Sequence, residues 1–310
     1  IYQKLAQFTW REMKLPEDAR KVLDRAVAAM PFEPEPLLTR AKFDLFSADG
    51  MPAAGTTPRD PMPDIQKALE IDPENADALL LLAEQYQKRR DLASAKDCLA
   101  DGVRLYPKDG RLVRSLSWLE LNRGNIGAAV GILEDGMARS PNGFDLLVPL
   151  ADLLVQLGET TRTEEIVARL EKRRDATAKL QVKYLQARLA MRQQKWPAAT
   201  DLLVQLRNES IGLPGLETQA NLLLAGCYQK RGDREKEQDT LKLVLNRDPN
   251  HHAARVALAL SLMNGGQYED AEKELQQAVK SPFAMPSTHA MLLRMKSHLM
   301  STGGTGTAAT

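Results

Sequence analysis

"ALEIDPENADALLLLAEQY", residues 68–86, returns as "VLNRDPNHHAARVALALSL" at residues 244–262. Both stretches read as the end of one helix, an Asp-Pro stop, a short polar turn and then a strongly apolar helix, because proline cannot continue a helix. The two copies lie 176 residues apart, which is five units of 34 plus six. A chain that repeats one helix-turn-helix phrase at a fixed interval predicts stacked helical hairpins, and the leftover six residues mark where units have grown.

Alignment on the proline column brings other positions into register. Pro73, Pro107 and Pro141 are spaced by 34. Small residues recur in the middle of each first helix at Ala83, Ser117, Ala151, Ala187, Ala225 and Ala259, with spacings of 34, 34, 36, 38 and 34. The excess two and four place short insertions near residues 178–179 and 214–217. The second helices carry Ala95, Ala129, Ala199 and Ala271 in one column, with Thr163 and Glu237 as exceptions. Four residues later stand Leu99, Leu133, Val167, Leu203, Leu241 and Leu275. Between the helices lie Gly124-Asn125, Gly158-Glu159, Gly232-Asp233 and Gly266-Gln267, pairs that end one helix and start another. Small side chains let helices approach, the adjacent leucines fill the space, and one hairpin alone cannot bury both of its apolar faces.

These columns resemble the tetratricopeptide repeat, a pair of antiparallel helices in 34 residues. The resemblance implies an all-α, right-handed α-solenoid of about eight helix-turn-helix units with some seventeen helices and no sheet. The expected units are 1–33, 34–75, 76–109, 110–143, 144–177, 180–213, 218–251 and 252–285, forming one solenoid over 1–300. A capping helix at 287–300, started by Ser287, precedes a flexible tail at 301–310. The second unit carries an inserted loop at 48–63, where Pro52, Pro58 and Pro61 with Gly50 and Gly55 rule out a continuous helix.

Composition narrows the function. Lys+Arg 42 against Asp+Glu 41 gives a formal charge of +1, so no excess of cations exists to drive nucleic-acid binding. No apolar run approaches the ~18 residues of a membrane span. The chain opens on Ile1 rather than Met, so a piece or processed form is expected, with cytoplasm and periplasm both open. Walker-type Gly-x-x-x-x-Gly-Lys, His-Glu-x-x-His, Cys-x-x-Cys and Gly-x-Ser-x-Gly motifs are all missing from the sequence. His251, His252, His289 and His298 diverge on their helices and are expected at the solvated surface. Cys98 and Cys227 belong to distant units and read as small buried residues. No enzyme, cofactor or metal site is therefore expected.

The resemblance also implies where a partner would sit. In this family, first-helix residues at unit positions 2, 5, 9, 12 and 13 line an inner groove. Carried onto this chain, they include Lys88, Arg114, Trp118, Asn122, Val148, Asp152, Tyr184, Arg188, Arg192 and Lys230. Cations interleaved with aromatic and aliphatic side chains suit a peptide or protein segment bearing both acidic and bulky apolar residues, docked across the fourth to sixth units. The expected function is a non-catalytic protein-interaction scaffold. The alternatives are a structural subunit of a larger envelope or secretion assembly, or the regulatory arm of an enzyme whose catalytic domain lies elsewhere.

Overall fold

The computed structural model describes residues 1–13, 15–49, 59–140, 143–173, 175–280 and 286–303. Most of the insertion (50–58), the proline at 141 and most of the expected tail (304–310) lie outside these residues. The described residues form seventeen α-helices and one short 3-10 helix at Phe144–Leu146, with no strand among them. The chain divides into two compact units, Ile1–Leu153 and Leu154–Thr310.

The first unit contains α1 (Tyr2–Arg11), α2 (Pro16–Ala29), α3 (Pro34–Asp49), α4 (Met62–Ile71), α5 (Ala76–Lys88), α6 (Leu92–Leu105), α7 (Gly110–Asn122) and α8 (Ile126–Arg139). It ends within α9 (Leu147–Leu157). Helices pack as hairpins, α1 with α2 through α7 with α8, and each hairpin stacks on the next through α2–α3, α4–α5 and α6–α7. Such contacts between chain neighbours are the hallmark of a solenoid, whose stability builds up unit by unit. Polar side chains cap α5, α6 and α7. Asn75 Oδ1 accepts from the Ala78 N–H at 3.0 Å and Asp91 Oδ1 from the Ser94 N–H at 3.1 Å, satisfying donors that a first turn leaves unpaired.

The second unit comprises the rest of α9, α10 (Thr160–Glu171), α11 (Ala176–Arg192), α12 (Trp196–Glu209), α13 (Pro214–Arg231), α14 (Arg234–Arg247), α15 (His252–Asn264), α16 (Tyr268–Ala278) and α17 (Pro286–Gly303). Its hairpins α11–α12, α13–α14 and α15–α16 stack in the same way. The two insertions fall in the first turns of α11 and α13, first helices that start about one turn earlier than their counterparts. The small-column residue stands eighth in α5, α7 and α15 but twelfth in α11 and α13, a gain of four residues or about one turn.

The columns are the core. Ala83, Ser117 and Ala151 in the first unit, and Ala187, Ala225 and Ala259 in the second, are at most 4% exposed. Their counterparts Ala95, Ala129, Thr163, Ala199, Glu237 and Ala271 are at most 6% exposed. The structure adds a further column, seven residues after the second-helix alanine. A Cβ on Gly102 would lie 2.8 Å from Leu112 Cδ2, and one on Gly136 would lie 2.6 Å from Val113 Cγ1. These glycines let α6 and α8 close onto α7.

The turns hold another regularity. Gly124, Gly158, Gly232 and Gly266 have φ between 73° and 84°, and the same slot holds Arg90 at 62° and Gln194 at 59°. Two units thus reach the left-handed turn without glycine. At the C-terminal end, Met295 is 2% exposed and joins Leu258, Leu262 and Leu275 in one cluster, with Met291 and Leu292 packed against it. This is the covering role expected of the terminal helix. Ser287 is not its N-cap, since α17 already begins at Pro286, whose fixed φ and missing N–H suit a first turn.

Candidate partner-binding surface

In the first unit, α5 and α7 leave a stripe of side chains open while burying the rest. Ala78, Leu79, Leu81, Ala83 and Gln85 of α5 are buried, whereas Glu84 and Lys88 are exposed and Leu80 and Gln87 half-buried. On α7, Leu112, Val113, Leu116, Ser117, Leu119 and Glu120 are buried while Arg111, Arg114, Trp118 and Asn122 are exposed. Trp118 is 56% exposed, a large indole standing in water at mid-helix. Arg114 and Asn122 flank it one turn to either side, the spacing that puts residues on one helix face. Val148 and Asp152 on α9 are half-buried.

The charges on this stripe are already organised. Lys42 Nζ lies 3.0 Å from Asp77 Oδ2, Arg111 lies 2.6 Å from Asp77 Oδ1, and Arg111 also meets Asp109 at 2.8 Å. Lys88 sits 3.5 Å from Glu84, and Arg114 4.0 Å from Asp145. The Lys42 ammonium and the Arg111 guanidinium hold the Asp77 carboxyl below its ordinary range despite partial burial. Arg111 does the same to Asp109. The stripe is thus a ladder of alternating charge, and carboxylates within it compete with any acidic partner for the same cations.

The second unit treats its candidates unequally. Tyr184, expected as a surface anchor, is 5% exposed and belongs to the core. The reason lies in α11, whose buried residues Leu180, Val182, Tyr184, Leu185, Ala187 and Leu189 occupy most of the helix circumference rather than one stripe. Arg188 is half-buried on the same helix. Arg192 is exposed in its last turn, and its guanidinium covers the Gly158 turn, where a Cβ would come within 3.1 Å of it. Lys230 is exposed in the last turn of α13.

Other titratable groups serve structure. Arg40 grips Asp64 with two nitrogens at 2.7 and 2.6 Å and Asp24 with a third at 2.9 Å. Arg20 bonds Asp24 at 3.1 Å and also pairs with the buried Asp44. This network links α2, α3 and α4, and the Arg-x-x-x-Asp spacing repeated at 20–24 and 40–44 is its signal in the sequence. Glu120, 2% exposed, receives Lys96 at 2.9 Å and Asn125 at 2.7 Å, and the ammonium and amide lower its pKa. Burial, with Asp101 nearby, pushes the half-buried Cys98 thiol up to about 11, and burial also raises Cys227. Neither is a ready nucleophile. His251 and His252 are not solvated as expected. His251 Nδ1 caps α15 by accepting the Ala254 N–H at 3.2 Å, and His252 Nε2 lies 3.4 Å from the Thr288 hydroxyl of α17. Among the described residues no group of three His, Cys, Asp or Glu could hold a metal ion, and no helix is long and apolar enough to cross a membrane.

Models of the tetratricopeptide repeat match residues 62–118, 219–251 and 256–294. These three segments are tetratricopeptide repeats. The matches cover α4 to α7 in the first unit and most of α13 to α17 in the second, the regions where the columns are most regular. No curated protein matches this repeat chain by sequence. Among solved structures it is similar to yeast Tom70, at 12% identity and TM-score 0.61 over 92% of this chain and 58% of that one. A tetratricopeptide repeat protein from Parabacteroides merdae matches at 12% identity and TM-score 0.60, over 89% of this chain and 98% of that one. The Cut9–Hcn1 hetero-tetramer of the APC/C matches at 13% identity and TM-score 0.54, over 90% and 52%. The chain thus spans little more than half of the Tom70 and Cut9–Hcn1 chains. At such identities the likeness is one of fold. Repeats of this class serve as protein-interaction scaffolds.

Proposed function

We propose that the chain is a non-catalytic scaffold that holds a segment of a partner protein against the exposed stripe of its first helices. The observation that carries this reading is Trp118, 56% exposed between Arg114 and Asn122. An indole left in water at the centre of a mixed apolar and cationic stripe gains most by burial against another chain, and tryptophan and arginine are the residues that anchor interfaces. The partner segment carries a bulky apolar residue for Trp118 with acidic residues near it for Arg114 and Lys88. Arg192 and Lys230 of the second unit are further exposed cations.

The test is selection of random dodecapeptides displayed on phage against the purified chain, followed by binding measurements on the winners. Winners should combine aromatic or aliphatic residues with Asp or Glu. Their affinity should fall in Trp118→Ala, and in Arg188→Ala with Arg192→Ala if the second unit contributes, but not in Lys172→Ala, an exposed residue at the end of α10 that is not among the candidates. Loss of binding in Lys172→Ala alone would refute the stripe.

A permanent subunit of a larger assembly is the second reading. Leu5 and Phe8 of α1 favour it, since they share a helix face and are 48% and 55% exposed. A stoichiometric partner that survives high salt and is lost in Phe8→Ser would favour the subunit over the transient binder.

A further inference from the structure

The opposite face of α1 holds a feature that the repeat columns do not predict. Between α1, α2 and α3 lies a cavity of about 240 Å³, open to the surface. Its floor is apolar. Ala6 and Leu23 are 3% and 1% exposed, and the rings of Trp10 and Phe43 meet edge to face with centroids 5.5 Å apart. Gln3 and Gln7, exposed, and Thr39, half-buried, line its solvent-facing side. Lys42 is the one charged residue of the lining, and its ammonium already pairs with Asp77 at 3.0 Å. The pocket is therefore an aromatic-walled hole with neutral hydrogen-bonding groups at its mouth.

Size and chemistry together select the occupant. Sites that enclose a whole drug-sized ligand run to ~300–1,000 Å³, with a few placed polar groups to orient it. A cavity that is smaller, apolar inside and amide-rimmed fits one large side chain whose own backbone amides meet the glutamines and the threonine. Edge-to-face aromatic walls favour another ring, which can continue the herringbone arrangement. We propose that this pocket receives a phenylalanine-class side chain of a peptide, with Gln3, Gln7 and Thr39 bonding the peptide groups on either side. The inference rests on reading the first-helix face as a peptide surface and names a second anchor on it, next to the Lys42–Asp77–Arg111 ladder.

The experiment needs no identified partner. N-acetyl-phenylalaninamide is titrated into the full chain carrying labelled alanine and leucine methyls. Saturable shifts at Ala6 and Leu23 are expected, with N-acetyl-alaninamide binding about tenfold more weakly or worse, because a ring is replaced by a methyl group. Thr39→Phe, a change at a half-buried rim position, should plug the mouth and abolish the shifts while helical content and melting midpoint stay put. Gln7→Leu should weaken N-acetyl-phenylalaninamide but leave toluene unaffected. The proposal fails if no saturable shift occurs, if a folded Thr39→Phe binds as before, or if toluene and the amide bind alike in both the parent and Gln7→Leu. Failure of the Trp118 stripe would leave this titration unchanged, so the two readings fall separately.

Discussion

The Ser117 hydroxyl donates to the Ala129 carbonyl oxygen at 2.9 Å, joining α7 to α8 where two small-residue columns face each other. Only a side chain of this size permits the contact, and the same crossing is made elsewhere with alanine. Close approach is therefore what each column encodes, and larger residues there should be rejected. Ala151, fully buried in α9, tests the rule in a helix with no such bond. Ala151→Leu should destabilise by ~1–3 kcal/mol through overpacking, read as a lowered melting midpoint by circular dichroism.

Helix α8 carries three glycines in different surroundings, and the same substitution should have opposite signs along it. A Cβ at Gly127 or Gly131 meets nothing within 4 Å, whereas at Gly136 it meets Val113 Cγ1 at 2.6 Å and Leu146 Cδ1 at 3.1 Å. Gly127→Ala and Gly131→Ala should each stabilise by ~0.5–1 kcal/mol, since alanine is the better helix former. Gly136→Ala gains the same propensity but must push aside Val113, 1% exposed and stiff at its branched Cβ. A net loss of ~1–2 kcal/mol is expected by urea denaturation. Stabilisation by all three would show that α7 and α8 are not in close contact.

Arg90 and Gln194 hold positive φ in the slot that glycine fills elsewhere. A left-handed conformation costs a residue with a Cβ ~1–2 kcal/mol, and glycine gives back part of that through its freer unfolded chain. Arg90→Gly and Gln194→Gly should therefore stabilise by ~0.5–1 kcal/mol, while Gly124→Ala should cost ~1 kcal/mol. Thermal midpoints moving the other way would mean that the arginine and glutamine side chains supply more than their backbone strain removes.

These two turns also mark the boundary of what a sequence displays. Columns set by volume are legible, because a methyl-sized residue every 34 positions is what a recurring close helix crossing demands. The turn slot at Arg90 and Gln194 is not legible, because backbone strain leaves no trace in residue type when a neighbouring contact tolerates it. Unit position alone puts Tyr184 on the surface, yet α11 buries residues around most of its circumference. Burial of that kind depends on the neighbours of a helix, which a single-helix count omits. Glu120 escapes sequence reading for a related reason: Arg123 and Asn125 are close in the chain, but Lys96 lies on another helix.

Glu120 carries a pH dependence whose sign is fixed by its partners. Its carboxylate is 2% exposed, and hydrogen bonds from Lys96 and Asn125 lower its pKa. A carboxyl whose folded pKa is depressed contributes stability that is fully present above the unfolded glutamate value. That contribution is lost as pH falls through the folded value. Glu120→Gln should lower stability at neutral pH by ~1–3 kcal/mol, since it leaves the Lys96 ammonium without its carboxylate. It should also flatten the decline in stability between neutral and acidic pH. An unchanged slope in urea midpoints between pH 6 and pH 3 would show that other carboxylates carry the acid response.

Trp118 and Arg114 stand on one face of α7, and their energies in a complex should differ sharply. Arg114 remains largely solvated and is only 4.0 Å from Asp145, so a partner carboxylate must share or displace that contact. An exposed pair of this kind is worth ~0.2–1 kcal/mol, at most about fivefold in Kd. Trp118 has over half its surface to bury and no competing charge to satisfy. Trp118→Ala should cost ~2 kcal/mol or more, roughly 30-fold in Kd for a selected peptide. Raising salt from 50 to 500 mM should reduce the Arg114 contribution and leave the Trp118 contribution nearly intact, because screening acts on charge and not on apolar burial. A peptide whose affinity survives Trp118→Ala but collapses in high salt would place recognition on the charge ladder instead, with Arg111 and Lys42 as the next residues to change.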